Sequence, residues 1–126
     1  MTPTRCTDAD RKGRHKAKQF QAAAALIDST VDHDELVDAY VTLCVHAGIA
    51  AADVICCARL GLHAQGQSHS EAIQLLERVD RSRAKDLAAL LGMKTRAGYS
   101  PTVSTMPTRK IAARSADRLV EAAVAI

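Results

Sequence analysis

From Tyr40 to Leu60 the chain is apolar almost throughout. His46 and Asp53 are the main interruptions before Arg59 near its end. A helix of about 20 residues spans about 30 Å, which is also the thickness of a bilayer core, so burial in a protein and passage through a membrane are the two readings of such a run. The run is rich in Ala rather than Leu or Ile and carries an imidazole and a carboxylate. It therefore reads as the central helix of a folded domain, with no membrane involved. Gly48, set among Ala47, Ala50, Ala51 and Ala52, leaves room for a neighbouring helix to approach closely.

A chain of 126 residues fits one domain with a real core. Hydrophobic residues make up 48%, too many for a disordered chain. Phe20, Tyr40 and Tyr99 are the whole aromatic complement, so the core must be Ala, Leu, Val and Ile. No segment alternates polar and apolar residues as a half-buried strand does, and no internal repeat is present.

Helical periodicity predicts a first helix from about Asp8 to Asp28, with Phe20, Ala23, Ala24 and Ile27 inward. Ser29, Thr30 and Asp32 supply turn and cap residues. The central helix should start near Asp34 and stop at Gly61, a C′ glycine. Ser68, with Glu71 three residues on, forms a capping box for a third helix. That helix should bend or break between Asp80 and Arg83, where its apolar pattern lapses before Ala84, Leu87, Leu90 and Leu91 resume it. Pro101 and Pro107 bracket a loop, and Pro107 suits the first turn of a last helix capped by Ser104 or Thr105.

The net charge of +3 does not by itself point to nucleic acid. Basic residues gather in 5–18 (Arg5, Arg11, Lys12, Arg14, Lys16, Lys18) and again in 78–96 (Arg78, Arg81, Arg83, Lys85, Lys94, Arg96). Solvated helix faces account for them, and a weak anion-docking surface is the sharper alternative. No aromatics interleave with these charges, so a base-stacking platform is not indicated. Cys6, Cys44, Cys56 and Cys57 read as free thiols, three of them inside apolar helix, in a cytoplasmic protein. Cys56 and Cys57 point about 100° apart on a helix and make poor joint ligands. His63 and His69, in or beside a loop, are the histidines best placed for a metal. Without a CxxC or HExxH pattern no metal or cofactor is expected.

Two blocks carry a family resemblance. Val45-His46-Ala47-Gly48-Ile49-Ala50-Ala51-Ala52-Asp53-Val54-Ile55-Cys56-Cys57, followed by Gly61 and by Ser68-His69-Ser70, is one. Leu90-Leu91-Gly92-Met93-Lys94-Thr95-Arg96-Ala97-Gly98-Tyr99 is the other. Together they resemble the central small-residue helix, the glycine turn and the basic-to-Tyr helix end of HEPN domains, helical proteins of prokaryotic toxin–antitoxin and defence systems. The resemblance covers roughly residues 10–125. It implies an all-α, antiparallel four- to five-helix up-and-down bundle: a flexible N-terminus at 1–8, then a single domain at 9–126. It also implies a homodimer, with RNA or a partner protein, such as a nucleotidyltransferase that modifies the tyrosine, as ligand.

Nuclease members of that family carry an Arg-x4-6-His motif near this helix end. Here Arg59–His63 and Arg11–His15 are each separated by three residues, and no His follows Lys94 and Arg96. The chain is therefore expected to bind rather than cut. Asp53, Lys94, Arg96 and Tyr99 are the binding candidates. The alternative is a metal-independent ribonuclease with a rearranged site, its catalytic candidates being His46, His69 and Arg96. Asp53 is expected to bond Lys94, Arg96 or Tyr99 and so tie the central helix to the end of the third, because a carboxylate in an apolar helix needs a partner.

Overall fold

The protein is described by a computed structural model covering residues 3–65 and 69–126. A short strand β1 (Thr4–Arg5) leads into α1 (Asp8–Arg11), followed by α2 (Arg14–Thr30), α3 (Val37–Leu60) and β2 (Leu62–His63). Helices α4 (His69–Glu77), α5 (Arg81–Tyr99) and α6 (Met106–Val124) complete the chain. The fold is a helical bundle with α3 at its centre, touching α2, α4, α5 and α6 as well as α1 and β2.

Most of α3 is buried from Val37 to Cys57, which removes from water the apolar surface that the sequence concentrates there. The helix is long and apolar enough to cross a membrane, yet most of its apolar window lies inside this fold. Gly48 is a point of close approach. A Cβ there would collide with Leu90 Cδ1 on α5 and come within 3.3 Å of Leu119 Cδ1 on α6. Leu90 and Leu119 are both fully buried.

Helix boundaries follow local chemistry. Gly61 ends α3 in the left-handed region at φ 69°, its N–H donating to the Cys57 carbonyl. Asp80 caps α5 by accepting from the Arg83 N–H at 3.1 Å, which is where the sequence loses its apolar pattern. Thr105, not Ser104, caps α6 by accepting from the Thr108 N–H, and Pro107 sits in the first turn. Ser68, the expected cap of α4, lies outside the described residues, while Glu71 accepts from the Gln65 N–H at 3.0 Å.

Three expectations are corrected. The first helix is broken at Lys12–Gly13, where a Cβ on Gly13 would come within 3.3 Å of Val54 on α3. The arm expected at residues 1–8 is fastened from Thr4 onward. Thr4 and Arg5 pair antiparallel with His63 and Leu62, and the Cys6 N–H donates to the Gly61 carbonyl at 2.9 Å. Finally, Cys6 and Cys57 form a disulfide across 51 residues, so only Cys44 and Cys56 are free thiols.

The tight α3–α5 crossing gives a direct test. Gly48→Ala gains helix propensity but forces a methyl group into Leu90. Overpacking should outweigh propensity and cost about 1–3 kcal/mol. A denaturant melt showing the Ala variant as stable as the parent would mean the helices do not meet at Gly48.

Candidate functional site

His46 and Asp53 lie two turns apart on α3, and Ile49 and Ala52 stand between them on the same side. Opposite this face, α5 brings Leu87, Leu91 and Lys94, and the start of α4 brings His69 and Ala72. Ala64 closes the end. The result is a cleft of about 230 Å³ with an apolar floor and four polar side chains, His46, Asp53, His69 and Lys94, drawn from three helices. Periodicity explains why Lys94 joins it and Arg96 does not. Lys94 falls one turn beyond Leu91 on the inward face of α5, whereas two further residues turn Arg96 to the exposed side.

His46 stacks on Phe20 of α2, ring centroids 5.2 Å apart. Burial, with the Lys94 and Lys16 cations adding to it, holds its imidazole below the usual histidine range. At neutral pH it is an uncharged ring able both to donate and to accept a proton.

Asp53 is not bonded to Lys94, Arg96 or Tyr99, contrary to expectation. It shares the first cleft with Lys94, but its electrostatic neighbours are His63 and Asp10. The side chain also lines a second cleft of about 290 Å³ on the other flank of α3, with Asp10, Gly13, Lys16 and His63. Arg96 is exposed, and Tyr99 is 81% exposed. Tyr99 lines a smaller hollow of about 130 Å³ with Thr42, His46, Lys94 and Gly98. Of the sequence candidates, the structure thus gathers His46, His69, Asp53 and Lys94, places Tyr99 beside them and leaves Arg96 outside.

Two polar groups were missed by the sequence reading. Arg109 of α6 is buried, pairs with Asp28 and lies 3.9 Å over the Tyr40 ring. Asp86 is buried and receives Arg118 through both its Nε (3.1 Å) and Nη2 (2.9 Å) atoms. These pairs join α2 to α6 and α5 to α6. The Arg109 guanidinium holds the Asp28 carboxyl below the usual carboxylate range. A lone Asp at the end of α2 and a lone Arg in the first half of α6 give no local signal that they meet.

No protein-family model matches the chain, nor does any curated protein or solved structure.

Burial raises the Asp53 carboxyl from 3.8 to about 6, with His63 opposing the shift and Asp10 adding to it. The protonated form is therefore the one that favours folding. Its contribution is full below about pH 4, the unfolded value, and is lost as pH rises through about 6. At pH 7.5 the ionised carboxylate costs about 3 kcal/mol, so Asp53→Asn should raise the melting temperature there by roughly 10 °C. The gain should shrink as the pH falls toward 4. Thermal melts of both proteins at pH 4.5 and 7.5 measure it, and an Asn variant that melts lower at pH 7.5 would show that Asp53 has a stabilising partner after all.

Proposed function

We propose that this chain is a HEPN-like, up-and-down helical-bundle protein that acts by binding RNA, as a component of a toxin–antitoxin or defence pair. The observation that carries the reading is the convergence of His46, His69, Lys94 and Asp53 on one apolar cleft. The cleft is smaller than the usual ligand pocket of about 300–1,000 Å³, and so admits one base rather than a stretch of chain. Unstacked bases of single-stranded RNA are held by aromatic faces and by hydrogen bonds to their edges. Neutral His46 offers the ring, Asp53 an acceptor for a base N–H, and Lys94 a cation for the adjoining phosphate. Arg96, exposed on the next face of α5, serves the backbone of a longer strand.

The same residues support a second reading. Two imidazoles and a cation in one cleft are the parts a metal-independent ribonuclease needs, with His46 and His69 as acid and base and Lys94 on the phosphate. Arg96, the other catalytic candidate, stands outside the cleft, which favours binding over cleavage.

Fluorescence anisotropy with a labelled single-stranded RNA decides between them. The parent should bind, and Lys94→Ala should weaken binding about tenfold and flatten its salt dependence by about one charge. His46→Ala should weaken it as well, with the RNA intact on a gel. Cleavage by the parent that vanishes in both His46→Ala and His69→Ala would establish the enzymatic reading. No binding at low salt by the parent would remove RNA as the ligand and leave a partner protein.

The proposal includes a homodimer. Tyr99, which lines the hollow beside the cleft, and Val103 in the loop after α5 are both more than half exposed and suit a symmetric contact. A nucleotidyltransferase partner would modify the Tyr99 hydroxyl in the separated monomer, where the residue is exposed. Light scattering at micromolar concentration should give twice the chain mass, and Tyr99→Ser with Val103→Ser should halve it. A parent that scatters as a monomer rejects the dimer. The reading sets the protein in the cytoplasm, where the Cys6–Cys57 pair would be kept reduced.

A further inference from the structure

We propose that the reduced chain holds a zinc ion between Cys6, Asp10, Cys57 and His63, at the end of α3 remote from Tyr40. The site is independent of the RNA reading and uses none of its imidazoles. Four separate pieces of chain converge there. Cys6 follows β1, Asp10 lies on α1, Cys57 is in the last turn of α3, and His63 ends β2. The Cys6 sulfur, an Asp10 carboxylate oxygen and a His63 ring nitrogen all lie within 4.8 Å of one another, and Cys57 is bonded to Cys6. Tetrahedral zinc with bonds of about 2.0–2.3 Å places its ligand atoms about 3.3–3.8 Å apart, so Cys6, Asp10 and His63 need to close by only about 1 Å, while the Cys57 sulfur draws away from Cys6 once their bond is reduced. Two sulfurs, one imidazole and one carboxylate are a ligand set zinc takes readily.

The orientation of His63 points the same way. Its Nδ1 lies 2.9 Å from the Ala64 carbonyl, which can only accept, so Nδ1 carries the hydrogen. That leaves the Nε2 lone pair facing Asp10 Oδ2 at 3.5 Å. A lone pair facing a carboxylate oxygen calls for a proton or a cation between them. An imidazole fixed by a backbone carbonyl on one nitrogen and open on the other is the arrangement of a metal-bound histidine. Asp10 is itself held, since its Oδ2 accepts from the Thr7 N–H at 2.7 Å in the capping box of α1. Asp53, one turn before Cys57, adds negative charge beside the site, and the second cleft, lined by Asp10, Asp53 and His63, gives a cation its way in.

The exchange balances without any change at the metal. A dithiol gives two electrons and two protons to the Cys6–Cys57 bond and leaves as its own cyclic disulfide. The two protein sulfurs are released as thiols. Zinc(II) then takes both as thiolates, and two protons pass to solvent. Zinc so bound replaces the disulfide as the tie between the N-terminal segment and α3.

Cobalt(II) is the probe. The chain is reduced with dithiothreitol, desalted without oxygen and titrated. The reduced parent should bind one equivalent, with thiolate-to-cobalt absorption in the near ultraviolet and the strong visible bands of a tetrahedral centre, all lost on adding zinc. Cys44→Ser with Cys56→Ser should leave the spectrum unchanged. His63→Ala and Asp10→Asn, each verified as folded by circular dichroism, should weaken binding about tenfold or more. The oxidised parent should show no thiolate band. A reduced parent without that band overturns the site, as does undiminished binding in both His63→Ala and Asp10→Asn.

Discussion

Everything in this fold hangs on the burial of α3. Its inward surface is not a stripe but most of the cylinder, from Val37 and Tyr40 at one end to Cys56 and Cys57 at the other. A helix of that kind is stable only when surrounded, so the other helices are arranged as its cover. Small residues set how near the cover can come. At Gly48 the approach is limited by Leu90 and Leu119, themselves sealed from water. With few aromatics available, close contact between Ala, Gly and Leu supplies the dispersion that bulk would otherwise provide.

Such a helix makes any polar residue on it expensive, which is why His46 and Asp53 matter. Each meets the cost differently. His46 stays neutral and stacks on Phe20, so that burial removes a charge it does not carry. Among the described residues no cation is bonded to Asp53, and its proton is held to about pH 6 instead. Both stand where the cover of α3 is incomplete, at the clefts toward α4 and α5 on one flank and toward α1 on the other. The incomplete cover and the polar residues are one feature, since an imidazole or a carboxylate on this helix requires a route to water or to a ligand.

Much of this was legible locally. The apolar run gave the central helix, Gly61 its end, the lapse at Asp80 the break between α4 and α5, and Thr105 with Pro107 the start of α6. Each is decided by neighbours within a turn or two. What was not legible depends on residues far apart in sequence. Cys6 meets Cys57 only because a two-residue strand at Thr4–Arg5 pairs with Leu62–His63, too short to leave a periodic signal. Arg109 meets Asp28 across the bundle on the same footing. A carboxylate in an apolar helix needs a partner, and along the sequence Lys94, Arg96 and Tyr99 offer one to Asp53. The fold instead sets Asp53 between the two clefts, with His63 and Asp10 as its electrostatic neighbours, and the two-residue strand and four-residue helix that bring them there leave no periodic signal.

The cysteines show how the same burial sorts chemistry by position. Burial pushes the Cys44 thiol up to about 12, and the Cys56 thiol likewise to about 12. The thiolate is the nucleophile, so burial keeps both unreactive toward a disulfide near neutral pH. Cys57 adjoins Cys56 in sequence but points about 100° away around α3, toward the N-terminal segment. That rotation alone puts one sulfur in the core and the other beside Cys6, His63 and Asp10. The thiol chemistry of the chain is thereby confined to one end of α3, separated along the helix from His46. Whatever is bonded there, sulfur or metal, fixes α1 against α3 and with it the wall of the cleft that Asp53 shares with His63.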